Sequence, residues 1–526
     1  MPRAATRRTR DGPQPLPRGL NLQISVPGGD STLLYPLMRL EIPPDVWRCI
    51  AGFLPAEILV KLFSVNRTFL QIATETRYRA IDFVAYDTAK PLMRHVKGSA
   101  LVHSVRVQPW VVKPKEPKHS LAWRLIHSCV APTEAFDDDA ESQVVRRLAK
   151  QTTRVADIIK GLPNLHTYHI DWDEGPRRKE FFKSLLYVIP SIGKNLHTLV
   201  LKVPMRYTDI LPGLVPQLPY LESLALTIHT GSLVPNSIIH QFAGLAVFIN
   251  RLLHNLRSLS IHTTPTSRYL DLGPLLIQLG HGRRLTSFTL CIPFDGGHLT
   301  NPSTLRRFLF RHCSKLESLT LCTMRAAAHA TPGPSTAKFW IRDTMKNHPS
   351  FPTLSHLALG LRPLRTDLGP LERCLEGIHS HLQVLKLSER PLEYAELAGV
   401  LAALGDAPLL RVLALRLRWL SPEVVDLIAA SLPALRTLEL NFTEVVHREP
   451  TNDTSSARSD ESCGLTRQGE VILFCQAMGG RQYSNWDLTR LAAPESPRDE
   501  WLGAIERAFV GCIPGLTCFE ELVVAG

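Results

Sequence analysis

One pattern recurs along this chain and limits what it can fold into. Leucine, or another apolar residue, occupies the first, fourth and sixth places of a six-residue motif. Ten copies run in series: Leu165/Tyr168/Ile170, Leu196/Leu199/Leu201, Leu221/Leu224/Leu226, Leu256/Leu259/Ile261, Leu285/Phe288/Leu290, Leu316/Leu319/Leu321, Leu354/Leu357/Leu359, Leu382/Leu385/Leu387, Leu410/Leu413/Leu415 and Leu435/Leu438/Leu440. Weaker copies flank them, Val102/Val105/Val107 before and Phe519/Leu522/Val524 after. The last apolar places alternate with polar ones, which predicts a short strand per copy. Between copies the apolar spacing turns helical, as in 142–160 with Val144, Val145, Leu148, Val155, Ile158 and Ile159, and in 392–404 and 422–432. Pro302 suits the first turn of a further helix, where its missing N–H costs nothing. A strand-plus-helix unit of this size cannot bury its apolar face alone, but a stack of such units can. The reading is an α/β chain of stacked repeats over most of residues 96–526.

The chain has 526 residues, so a single compact core is disfavoured against several domains or an extended array. Hydrophobic residues at 44% and charged residues at 21% are those of a globular protein. A net charge of +12 places nucleic acid among the partners to weigh. The bases are scattered, however, and cluster only at Arg3, Arg7, Arg8 and Arg10 and at Lys113, Lys115 and Lys118, which reads as solvated surface. The longest apolar run, Phe242 to Ile249, is too short to span a membrane, and the Arg- and Pro-rich start has no signal-peptide core. The ten cysteines are dispersed with no CxxC pair, so reduced thiols in cytosol or nucleus are expected. Residues 1–38 read as a disordered basic tail and 449–470 as a flexible insertion loop, with 471–526 a capping repeat.

No nucleotide-binding, zinc-protease or serine-hydrolase motif occurs. The acidic run Asp137, Asp138, Asp139 and Glu141 matches no calcium loop. His166 and His169, and His379 and His381, lack a carboxylate or cysteine at ligand spacing. The chain is therefore read as a non-enzyme with no metal or cofactor.

Residues 39–85 predict three short helices. Pro44 suits the first turn of the first, with Asp45 complementing its dipole, Gly52 and Pro55 separate it from the second, and Ser64 or Asn66 can cap the third. Val46, Trp47, Ile50, Phe53, Leu54, Ile58, Leu59, Leu62, Phe63, Val65, Phe69 and Ile72 are too many apolar residues for so small a unit to hide. This segment resembles an F-box: Ile42-Pro43, Asp45, Ile50, Phe53-Leu54, Leu59, Leu62, Val65, Arg67 and Phe69 fill its pattern in register. Ile42 stands for the usual Leu, Asn66 for Cys and Phe69 for Trp. The array behind it resembles leucine-rich repeats, and the pairing is similar to a form common in fungi. It departs from the standard repeat three residues after the last leucine, where Asp173, Pro204, His229, Thr264, Pro293, Met324, Arg362, Arg390, Arg418 and Thr443 replace the turn-bonding Asn or Cys. An irregular array without an asparagine spine is expected.

The resemblance implies an α/β fold in which a three-helix F-box precedes a leucine-rich repeat solenoid, with parallel strands on the concave side and helices on the convex side. A linker with a first degenerate repeat would occupy 86–140, and the array 141–448. It further implies a substrate receptor of a cullin-based ubiquitin ligase, whose Skp-type adaptor would meet Pro43, Val46, Ile50, Leu54, Leu59 and Leu62. On the expected concave face the middle strands present Ser258, Ser260, Ser287, Thr289, Ser318 and Thr320, flanked by His262, Cys291 and Cys322. Charges gather at the ends, Asp171 and Lys202 against Lys386, Arg416 and Glu439. Few bases lie where phosphates would need them, which favours a protein target over nucleic acid. The alternatives are a scaffold of the same build acting outside a ligase, or a basic RNA- or chromatin-binding protein.

Overall fold

The computed structural model describes residues 42–84, 100–108, 110, 135–171, 179–231, 233–324, 339–346, 351–364, 367–405, 407–448, 467–494 and 499–522. The expected tail 1–38, and most of both the linker 86–140 and the loop 449–470, lie outside them. Two compact units are present, one ending at Ile72 and one beginning at Ala73.

In the first unit, helix α1 (Pro44–Gly52) opens on a proline with Asp45 in its first turn. Helix α2 (Ala56–Lys61) takes Pro55 as its N-cap, one residue before the first-turn place expected, and runs into a 3-10 turn at Leu62–Ser64. Helix α3 (Arg67–Arg79), which begins in this unit and ends in the second, is capped by Asn66, whose Oδ1 accepts from the Phe69 N–H at 2.8 Å. The residue that replaces a cysteine in the resembled pattern thus fixes the helix start. Ala51, Leu59 and Phe69 are buried together, with Trp47, Leu54, Leu62 and Ile72 packed on them. Trp47 meets Phe69 edge-on, ring centroids 5.3 Å apart.

The second unit is a fourteen-stranded parallel sheet in strict chain order. Its strands are β1 Ala80–Phe83, β2 Ser104–Val107, β3 Thr167–Ile170, β4 Thr198–Pro204, β5 Ser223–His229, β6 Ser258–Thr263 and β7 Ser287–Pro293, followed by β8 Ser318–Met324, β9 His356–Gly360, β10 Val384–Ser388, β11 Val412–Leu420, β12 Thr437–Val445, β13 Arg490–Pro494 and β14 Cys518–Leu522. The motif places its third residue at each strand start, and the fourth and sixth are buried: Leu224, Leu226, Leu259, Ile261, Phe288, Leu290, Leu319 and Leu321 are fully enclosed. They share one core with the helices between strands, such as Pro235–Leu252 through Phe242, Leu245 and Phe248. The expected helices appear at Ala135–Lys160, Tyr394–Leu404 and Pro422–Ser431, and Pro302 opens Pro302–His312 in the first turn. Asn301 and Ser421 cap two of them, and Glu393 with Glu396 forms a capping box on a third.

Several boundaries differ from expectation. Ala80–Phe83, placed by sequence in the N-terminal module, is the first strand of the sheet and pairs with β2. The C-terminal part carries two strands and two helices, Arg467–Gly479 and Asp499–Cys512, where one capping repeat was expected. Residues 467–470, assigned to the loop, begin the first of these helices, and Glu470 accepts from the His447 N–H at 3.1 Å. The last motif is shifted: Phe519 pairs with Leu491 and so holds the fourth place, with Leu516 the first. Leu522 therefore does not hold the fourth place, and Val524 lies outside the described residues.

The expected lack of an asparagine spine is only half of the finding. Asn164, Asn195 and Asn255 stand immediately before the first leucine of their repeats. Their Nδ2 groups donate to the carbonyls of Ala100 (2.8 Å), Pro163 (2.6 Å) and Pro219 (2.7 Å), each at one place in the preceding repeat. Lys315 Nζ makes the same link to the Arg283 carbonyl at 3.0 Å. The side-chain ladder exists, but at the strand entry.

His312, buried in the last turn of its helix, makes another inter-repeat link. Its Nε2 accepts from the Gly282 N–H at 2.9 Å, so Nδ1 carries the proton and donates to the Phe308 carbonyl at 2.8 Å. Burial, with the neighbouring His281 and Arg311, holds its pKa down to about 4. The unfolded chain takes up this proton near the ordinary value of about 6.5 and the folded one does not, so protonation favours unfolding as pH falls from there toward 4. Urea titrations at pH 7 and pH 5 should show a loss of stability on the order of 2 kcal/mol that shrinks in His312→Gln.

Candidate functional site

Two surfaces hold the residues singled out by sequence, one in each unit. In the first, the six candidates divide by burial. Pro43, Val46 and Ile50 are exposed along α1 and its entry, Leu54 and Leu62 are half-buried against the small core, and Leu59 lies within that core. Leu59 therefore positions α2 and offers little surface to a partner. The residues that α2 and its flanks turn to solvent are others: Phe53 at 89% exposure, with Ile58, Phe63, Val65 and Leu70. Their signal in the sequence was the excess of apolar residues over what so short a segment can enclose.

The second surface is the sheet face opposite the core. Third-place side chains lie side by side in register, Ser223, Ser258, Ser287 and Ser318, and beside them run the fifth-place residues Ala225, Ser260, Thr289 and Thr320. All are half-buried, as the flanks of a continuous ladder must be. Of the charges at the ends, Asp171, Lys386 and Glu439 are paired within the protein, and Arg416 donates to the Glu389 carbonyl at 3.3 Å. Arg106 donates to Asp171 at 2.7 Å with His169 at 3.0 Å, and Lys386 reaches Glu439 at 3.2 Å. Such exposed or half-exposed pairs add little stability and leave the middle of the face nearly uncharged.

A third row follows the sixth place. His262, Cys291 and Cys322 are neighbours in register on β6, β7 and β8, and Ser260 Oγ lies 2.8 Å from His262 Nε2. On β9 the row meets Gly360, where a side chain would collide with the carboxylate of Glu389. Glu389, in left-handed backbone at φ 76°, swings that carboxylate across the glycine. There it accepts from both the N–H and the hydroxyl of Thr323 on β8, beyond the point where β9 pairs. Burial raises the pKa of this carboxyl, opposed by the Thr323 bonds. Sequence gave no notice of Glu389, because only the fold brings β8 and the end of β10 together over a glycine.

Among the described residues no three His, Cys, Asp or Glu side chains are arranged to hold a metal ion, and no helix is long and apolar enough to cross a membrane. No protein-family model matches this chain, and no curated protein is significantly similar to it.

The register separates two kinds of neighbouring residue. Leu259→Ala and Leu319→Ala empty fully buried sites and should each cost about 2–5 kcal/mol in urea unfolding. Ser258→Ala and Ser318→Ala, one residue earlier on the open face, should stay within about 0.5 kcal/mol. Similar losses at leucine and serine would contradict the assigned faces.

Proposed function

We propose that this chain is a substrate receptor of a cullin-based ubiquitin ligase, its N-terminal unit an F-box for a Skp-type adaptor and its sheet a leucine-rich repeat array for a protein target. The observation that carries the reading is the exposed apolar surface of the first unit. Val46, Ile50, Phe53, Ile58, Phe63, Val65 and Leu70 all face solvent on a three-helix segment whose described residues bury only Ala51, Leu59, Phe69 and Ala73. Moving a large apolar side chain out of water contributes about 1.5–3 kcal/mol. Four of them match the ~8 kcal/mol of a micromolar complex, before ordering costs.

The target side rests on the second unit. A sheet face with small, uncharged residues at its centre lets a partner come close with little loss of rotamer freedom, and a charged rim is common in protein recognition. Ser258, Ser260, Ser287, Thr289, Ser318 and Thr320 are the residues such a target would cover.

Affinity purification tests both halves. Phe53→Asp places a charge where the adaptor would exclude water, at a cost of several kcal/mol, and should abolish co-purification of the Skp-type adaptor and the cullin. Its side chain is free of the core, so circular dichroism should not change. Undiminished adaptor capture would refute the F-box reading. Ser287→Arg with Ser318→Arg should remove the target's peptides while leaving the adaptor's, and a full set of partners on that double variant would move the target site off this face.

A further inference from the structure

The row of His262, Cys291 and Cys322 is independent of the ligase reading and has a chemistry of its own. Cys291 and Cys322 are the only cysteines paired in register on neighbouring strands among the described residues. Neighbouring parallel strands lie about 4.8 Å apart, inside the roughly 4.4–6.8 Å window of Cα separations that a disulfide bridges. Both side chains leave the same face. Cys322 Sγ reaches the carbonyl of Leu290, the residue before Cys291, at 3.7 Å, and His262 is the in-register neighbour of Cys291 on its other side. The Ser260 hydroxyl bonds the His262 ring at Nε2, 2.8 Å away. Cys322 is half-buried and Cys291 keeps 9% of its surface exposed, which a small oxidant can reach.

We infer that Cys291 and Cys322 form a redox-active dithiol, a modification site that hydrogen peroxide closes to a disulfide and thiol reductants reopen. The neighbouring Cys322 and then His262 hold the Cys291 thiol well below the ordinary thiol range against the opposing effect of burial, while Cys322 is held above it. Cys291 is thus the thiolate that attacks. Its sulfur takes one peroxide oxygen, the O–O bond breaks, and the departing hydroxide gains a proton from solvent. Cys291 is left as a sulfenic acid and one water is released. The Cys322 sulfur then attacks that sulfur. The S–S bond forms as the S–O bond breaks, and the hydroxyl leaves with the Cys322 proton as a second water. Two electrons have passed from the thiols to the peroxide, so no other reagent is required. A dithiol reductant reverses the bridge by exchange.

The test uses the full chain, treated with up to tenfold hydrogen peroxide, alkylated, and digested with trypsin without reduction. The two thiols fall on separate peptides, Leu285–Arg306 and Leu316–Arg325. These should appear joined, and should separate after dithiothreitol. In Cys322→Ser, dimedone should tag Cys291, and His262→Ala should slow the joining about tenfold. Both peptides alkylated as free thiols, while the exposed Cys49 has been oxidised, would overturn the inference. So would a dimedone tag on Ser-replaced chains that spares Cys291. The wild-type peptide map decides the matter even if a variant fails to fold.

Discussion

Everything in the second unit depends on the hydrogen-bonding groups that a parallel strand exposes on both of its edges. A buried backbone N–H or C=O without a partner costs as much as a lost hydrogen bond. No strand of four to nine residues can meet that demand by itself. Each repeat meets it by passing the same bonds to the next: the Thr167 and Thr198 N–H groups donate to His103 and His166, and Ser223 and Ser258 to His197 and Glu222. The leucines at the fourth and sixth places come into line only because this ladder fixes the register. The residues on the open face come into line for the same reason. Core and candidate site are two sides of one backbone constraint.

That coupling explains which parts were legible in the sequence. Period-two alternation is a local property, so the ten strong copies were readable, and so was the division between Leu259 inside and Ser258 outside. β1 was not, because α3 runs into it with no linker and Tyr78 takes the leucine's first place. β13 was not, because its sixth place is Ala493. The asparagine links were visible in principle as a recurring Asn-Leu dipeptide at 164–165, 195–196 and 255–256. The standard repeat carries its asparagine in the turn after the strand, whereas these stand in the turn before it. Glu389 was beyond reach: its role exists only once Gly360 and Thr323 are neighbours.

The N-terminal unit illustrates the opposite limit. The described residues of its three helices enclose Ala51, Leu59, Phe69 and Ala73 and little else. So few enclosed side chains contribute little stability by themselves. Its apolar excess has the composition of half an interior. The positions that serve the fold and those that could serve a partner alternate along α2, so the apolar pattern alone does not separate the buried Leu59 from its exposed neighbours Ile58 and Val60.

The strict chain order of the fourteen strands has a consequence for how the molecule is made. No strand waits for a partner synthesised much later, since each pairs with the one before it. A chain leaving the ribosome can therefore lay every new strand on an edge that already exists, in the one-dimensional manner of repeat proteins. Parallel sheets are usually slow to assemble because their pairings are distant in sequence. Here the distance is one repeat at every step, and biosynthesis itself supplies the order of assembly.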